Sequence, residues 1–349
     1  SDMSTLQQAR MALEALVSDN RVIVNSKPWV SANAEIAIID IDAKSLEAEG
    51  PWPWPGSKMA KLSNKLTHHS AALTAFDLVF SAPTPNSAQA VLNYYQKSES
   101  INPAVESLLS DLVKKFDLDR YFAQGLRHQD VVLGFEFQHA FRTSLGVLPN
   151  ALPLKSPAHL RHLHHETSFT GNLATLHQAA PVGGFINFGP DLDGIVRRAP
   201  LVVRYGQELY ASLALQCVRM KLLNQSVTLD TPKDNAEHLR ALILDELRLP
   251  VNVKGDLFLS FRGPPGSFPS YSATDLLHDK IPAKQLEGKI VIIGSSAPHI
   301  RPRIHTLAGR NFTSAEVHAH IISSLLSQQI LSKPRGVRSF DAFLLLGVR

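Results

Sequence analysis

An α/β fold is the expectation for this chain: a mixed, largely parallel central sheet with helices on both faces and long insertions. Three observations set it. The short apolar runs AEIAIIDID and AALTAFDLVF are bounded by polar residues, the mark of buried strands. Between them PGSKMAKLSNKLTHHS has helical spacing, with Pro55 at the helix entry. Strand, helix and strand with a short return form a right-handed parallel crossover. Far downstream, residues 259–298 pack an apolar strand, a loop stiffened by Gly and Pro, a helix start and a second buried strand into one segment.

The remaining elements follow in chain order. From about residue 84 to 118 the sequence turns polar, a surface excursion or lid, within which NPAVESLLSDLVKKF forms a helix after Asn102-Pro103. LDRYFAQGLRHQDVVLGFEF resumes a helix and then a strand, whereas residues 140 to 170 are rich in His, Pro, Leu and Thr and read as a long loop. TLHQAAPVGGFINFGPDLDGIVRRAPLVVRYGQELY reads as helix, strand, a tight Asp-Gly turn, strand and a second turn at Gly206. A helix from about Ala211 to Leu223 comes next, then a weakly alternating stretch with charged loops over 225–255. In the 259–298 segment a helix starts at Ser272 with Asp275 in its first turn, and TSAEVHAHIISSLL closes the pattern as a helix. One α/β unit is expected, with two tightly fused subdomains as the alternative.

Length and charge exclude several classes. No window approaches the roughly 20 apolar residues of a membrane span. The formal net charge is +4, but no block of consecutive Lys or Arg provides a nucleic-acid footprint. Cys217, the one cysteine, lies on the apolar face of a helical pattern and reads as a buried structural thiol; alone, it excludes an internal disulfide. Ser1-Asp2 before Met3 reads as a cloning scar. Leu6, Ala9, Leu13, Leu16 and Val17 then recur at near-heptad spacing, an amphipathic helix that packs on the domain or on a second copy. At the other end FDAFLLLGVR is either a terminal helix or the first turns of a membrane helix. The expected organisation is a terminal helix and linker over 1–30, one domain over 31–335, and a C-terminal lead-out over 336–349.

Several residues could bind a ligand, each with a purely structural alternative. Asp40 and Asp42 stand at i and i+2 at the end of the first strand, and Asp77 ends the next, where ligands collect in α/β sheets. The structural alternative is that Asp42 caps the following helix and Asp40 bonds local backbone N–H groups. Trp52 and Trp54, interleaved with prolines, either receive a sugar or cationic ligand or plug the core edge. Arg197 and Arg198 face opposite sides of a strand; one captures an anion or pairs with Asp191 or Asp193 of the adjacent turn. Arg262, held by Gly263-Pro264-Pro265-Gly266, is the strongest single candidate, because a preorganised guanidinium grips a carboxylate or phosphate in bidentate fashion. Ser267 and Tyr271 follow on the same loop. Ser295, after a buried strand, sits where backbone N–H groups can meet an anion, but IIGSSAP is neither a P-loop nor a nucleophile elbow. His159, His162, His164 and His165 are dense, yet Pro157 disturbs the helix that would make them converge, so no metal is expected. His318 and His320 straddle a helix, with Glu316 or His318 near the Arg262 loop. No acid, base and nucleophile set for a hydrolase emerges.

These same stretches carry a resemblance. FRGPPGSFPSYSATDLL resembles the signature of the type-two CHASE domain, the extracellular sensory domain associated with cyclases and histidine kinases. IAIIDIDAKSLEAEGPWPWPGSKMAKLSNKL, AFDLVFSAPTP, GGFINFGPDLDGIVRRAPLVVRYGQELYASLALQCVR, IIGSSAP and AEVHAHIISSLL are similar to its other blocks, in the same order, and cover most of residues 35–335. The resemblance implies an extracytoplasmic input module of a bacterial inner-membrane receptor, with a cyclase, kinase or cyclic-dinucleotide enzyme as output. It implies no cofactor, an unknown small-molecule ligand or periplasmic protein as partner, no nucleic acid, and a homodimer. A ligand-free dimerisation module is the alternative. In one place the chain departs from the pattern: after IGSSAP an acid is usual, and here Arg301, Arg303 and His305 stand instead. That change points to a more anionic ligand or to loss of the site.

Overall fold

The structure, a computed structural model, describes residues 35–97, 102–138, 143–154, 160–223, 226–232 and 238–330. The expectations for residues 1–30 and 336–349, and for His159, lie outside them. β1 (Ile36–Asp40) is apolar on both faces, so Ile36 and Ile38 enter one core while Ala37 and Ile39 enter another. Asp42 caps α1 (Ala43–Glu49), accepting from the Ser45 N–H at 2.8 Å. α2 (Gly56–His68) begins directly after Pro55, and β2 (Leu73–Phe76) returns fully buried. The polar excursion folds as two helices, α3 (Ser87–Gln96) and α4 (Pro103–Lys115), of which the second buries no side chain. Asn102 caps α4 and Pro103 starts it, as the sequence predicts. α5 (Leu118–Leu126) buries Phe122, Ala123 and Leu126, and β3 (Val131–Gln138) follows.

The stretch expected as a long loop contains two short strands, β4 (His165–Glu166) and β5 (Ser168–Thr170). β5 pairs antiparallel with β3, placing Phe169 opposite Phe137. Its stability comes from that cross-strand pairing, which three residues cannot announce in sequence. α6 (Ala174–Ala179) and β6 (Gly183–Phe185) come next, then β7 (Arg198–Pro200), β8 (Val202–Tyr205) and β9 (Glu208–Ala211). Gly206 turns β8 into β9 at φ +60. Ser212 caps α7 (Leu213–Lys221). The weakly alternating region is an antiparallel meander of β10 (Thr228–Asp230), β11 (Ala241–Leu244) and β12 (Leu247–Pro250). β13 (Asp256–Phe258) pairs with β7; β14 (Ser270–Ser272) leads into α8 (Ala273–Leu277), whose N-cap position is Ser272. β15 (Ile290–Gly294), the hairpin β16 (Ile304–Thr306) and β17 (Gly309–Phe312), and α9 (Ser314–Leu326) complete the described chain.

The central sheet has seven strands in the order β14-β1-β15-β2-β3-β5, with β6 also on β3. Every pair is parallel except β3–β5. β15, the last strand of this sheet in the sequence, lies between β1 and β2, so the expected crossover joins strands that are not neighbours. α7 and α9 cover one face; α2, α5, α6 and α8 cover the other. Each five-residue stretch of strand therefore serves two cores, which explains why β1 and β15 read as continuous apolar runs. Among the described residues no helix is long and apolar enough to cross a membrane.

Candidate functional site

The parallel strands end together at one edge, and the ends of β1, β15 and β2 deliver Asp40, Gly294-Ser295-Ser296 and Asp77 side by side. The Asp77 N–H donates to the Ile293 carbonyl (2.8 Å), and its carboxylate is wholly buried. Oδ1 accepts from the Ser314 hydroxyl at the start of α9 (3.1 Å), while Oδ2 has no hydrogen-bond partner among the described residues. Arg301 Nη2 lies 3.5 Å from Oδ1, and His318 Nε2 lies 3.7 Å from it. Gly294 permits this crowding: a Cβ there would stand 2.7 Å from the Ala315 Cβ and 3.4 Å from Asp77 Oδ2.

Burial dominates the electrostatics. Desolvation pushes the Asp77 pKa up to about 7, against the opposing pull of Arg301 and Ser314. The same effect, helped by Arg301, pushes His318 down to about 3 and leaves it a neutral imidazole. Its ring packs on Phe188 with centroids 4.6 Å apart, and neither of its nitrogens has a hydrogen-bond partner among the described residues. Arg301 completes the cluster by donating from Nη1 to Glu136 Oε1 on β3 (2.6 Å). One guanidinium thus links carboxylates from two adjacent strands. In front of it opens a cleft of about 280 Å³, lined among others by Asn187, Phe188, Val196, Arg303, Ile304 and His305.

The predicted residues divide between this edge and other places. Asp40 accepts from the Ser296 N–H (2.7 Å), and burial raises its pKa. The Ser295 hydroxyl donates to the Ile41 carbonyl (2.7 Å) and accepts from the Ala297 N–H (3.1 Å). Asp42 caps α1 and accepts from the Ser272 hydroxyl (2.8 Å). Trp52 and Trp54 stack with ring centroids 6.2 Å apart against the α2-side core, and Trp54 Nε1 donates to the Gly50 carbonyl (2.9 Å). Arg197 is buried and holds Asp193 at 2.7 Å and Asp191 at 3.1 Å, which draws the Asp193 pKa down to about 2. Arg198 also reaches Asp191 (2.8 Å), so both arginines bind the acids of the Asp-Gly turn.

Arg262 belongs to the other end of α9. Its guanidinium donates to Ser327 (2.5 Å) and to Gln329, beyond the last turn. The thirteen-residue helix that begins at Ser314 ends just before that contact, a rise of about 20 Å. Arg262 and Asp77 therefore do not share one pocket. The Arg262 N–H donates to His320 Nδ1 (3.0 Å), whose ring sits among Phe261, Phe268 and Phe312. Of the pair expected near this loop, Glu316 meets it, accepting from the Gly266 N–H (2.6 Å). His318 turns the opposite way, and His320 takes the place beside Arg262. Ser267 donates to the Pro264 carbonyl, and the Tyr271 hydroxyl to Gln285 (2.8 Å).

The histidine-rich stretch splits up: His164 pairs with Asp256 (2.7 Å), and His162 packs against His238. Among the described residues no three ligating side chains gather. Sequence reasoning placed Asp77 at this edge but did not join it to Arg301, Glu136, His318 and Ser314. The one available signal was the basic run Arg301, Arg303, His305 that follows IIGSSAP.

No curated protein and no solved structure matches the chain. The family model of the CHASE2 domain matches residues 3–348. Because that match spans almost the whole chain, the chain belongs to the CHASE2 domain family, extracytoplasmic sensory domains of signalling proteins.

Proposed function

We propose that this chain is the signal-input domain of a bacterial transmembrane receptor and does no chemistry itself. A small-molecule ligand or a periplasmic protein engages the carboxyl edge beside Asp40, Asp77 and Ser295. α9 carries the change to the segment after residue 330, and from there to a cytoplasmic cyclase, kinase or cyclic-dinucleotide enzyme. The placement of α9 supports this reading: Ser314 touches Asp77 at one end, and Arg262 holds Ser327 and Gln329 at the other. A packed helix moves as a rigid unit, so a shift at the cleft reappears at its far end. Pairing of two copies through the terminal segments suits such outputs.

In this reading Arg262, with Ser267 and Tyr271 on its loop, works at the coupling end. Arg262→Ala is expected to leave the sheet folded and to speed amide hydrogen exchange selectively over residues 323–330. In the full-length receptor the same substitution should change basal output severalfold. Faster exchange with unaltered output would sink the coupling role of α9, and global unfolding would make the arginine structural.

A further inference from the structure

The cleft beside Asp77 has walls of two chemical kinds. Ile186, Phe188, Val196 and Ile304 are apolar; Arg301 and Arg303 supply positive charge; no carboxylate of the described residues lines it. The charges are unequally compensated. Arg301 is matched by Glu136 and Asp77 behind it, while among the described residues Arg303 donates to the Asn311 carbonyl (3.2 Å) and acts on Asp40 through space. Arg301 Nη2 is buried without a hydrogen bond, facing Asp77 at 3.5 Å. A buried donor whose carboxylate contact is an ion pair at 3.5 Å rather than a hydrogen bond keeps capacity for an acceptor. At about 280 Å³ the cleft is at the small end of ligand sites.

We propose that this cleft binds a small carboxylate with a short apolar tail, its anionic head between Arg301 and Arg303 and its tail against Phe188 and Val196. The inference rests on the reading of the carboxyl edge as the sensory site and names its ligand class. Arginine prefers a carboxylate for its planar, bidentate fit, and the apolar walls reject a small inorganic anion. Binding is linked to a proton. Asp77 is faced by Arg301, by Glu136 from β3, and by Ser314 and neutral His318 from α9. A ligand that draws on Arg301 removes the cation that offsets the Asp77 carboxylate, so Asp77 takes up a proton as the ligand enters.

The test is calorimetric titration of the purified chain with butyrate, butyramide and butylamine at pH 7, in buffers of different ionisation enthalpy. Butyrate should bind at least tenfold more tightly than the amide or the amine, with uptake of a fraction of a proton. Arg303→Ala should weaken butyrate on the order of tenfold or more. Asp77→Asn should remove the proton uptake, and uptake that persists in this variant would overturn the linkage to Asp77. Equal binding of the amide, or butyrate binding indifferent to Arg303→Ala, overturns the carboxylate assignment and leaves the sensory reading standing. No heat with any of the three at millimolar concentration also overturns it, while the sensory reading is judged separately by the exchange and output of Arg262→Ala.

Discussion

Asp77→Asn is expected to stabilise the domain at pH 8 by on the order of 4 kcal/mol and to steepen its loss of stability in acid. The sign follows from linkage. Asp77 has a folded pKa of about 7 against an ordinary 3.8, so between those values the native state holds a proton that the unfolded chain has released. The cost of folding with this acid grows as pH rises through that window and is constant above it. A displacement of about three units corresponds to about 4 kcal/mol. The asparagine keeps an acceptor for Ser314 and never has to ionise.

His318 and His320 act in the opposite direction. Both are pushed from 6.5 down to about 3, so below pH 6.5 the unfolded chain gains two protons that the native state refuses. Between about pH 4.5 and 6.5 the wild type loses a net one proton's worth of stability per unit of acidification. The variant loses two, about 3 rather than 1.4 kcal/mol per pH unit. Urea unfolding from pH 4.5 to 8 measures both slopes. Parallel profiles, or an asparagine variant weaker at pH 8, would show that Asp77 ionises in the fold as an ordinary surface acid does.

Gly134→Ala is expected to cost about 3 kcal/mol or more and to damage the same edge. Gly134 on β3 is in register with Gly184 on β6. A Cβ at 134 would fall 2.4 Å from the Phe76 carbonyl oxygen and 2.8 Å from that of Leu78. Both obstacles are backbone, and they flank Asp77. No side chain can rotate away, so β2 must shift, and overpacking of that kind sits at the upper end of measured costs. Soluble yield and the urea midpoint report it; a loss below 1 kcal/mol would mean that β2 and β3 are not so closely apposed. Gly184 plays the matching part toward α7, where a Cβ would come within 2.5 Å of Leu213 N and Cα.

Where the chain is buried on both faces, its structure was legible. β1 and β15 are apolar on every side chain before their terminal residue and β2 is interrupted by Thr74 alone, so a simple run signals them; the helix entry at Asn102 follows from side-chain capping, and those at Pro55 and Ser272 from residue types that favour the N-cap region. β4, β5 and the β10–β12 meander were missed because two to four residues carry too little periodicity; their pairing partners supply the order. At the site, Asp77 could be placed at a strand end, and Arg262 could be recognised as a rigidly held cation. Their separation could not, because it depends on which end of α9 each one meets.

Local chemistry alone established the alternation that fills two cores, the caps that begin the helices, and the stiff loop around Arg262. The charge cluster was settled by strand order. β15 inserts between β1 and β2, bringing Arg301 onto Asp77, while β3 offers Glu136 from a position 165 residues away in the chain. Apolar periodicity tells a strand which side to bury but carries no record of which neighbour it will take. Charges that meet across neighbouring strands therefore become visible only when the sheet has closed around them.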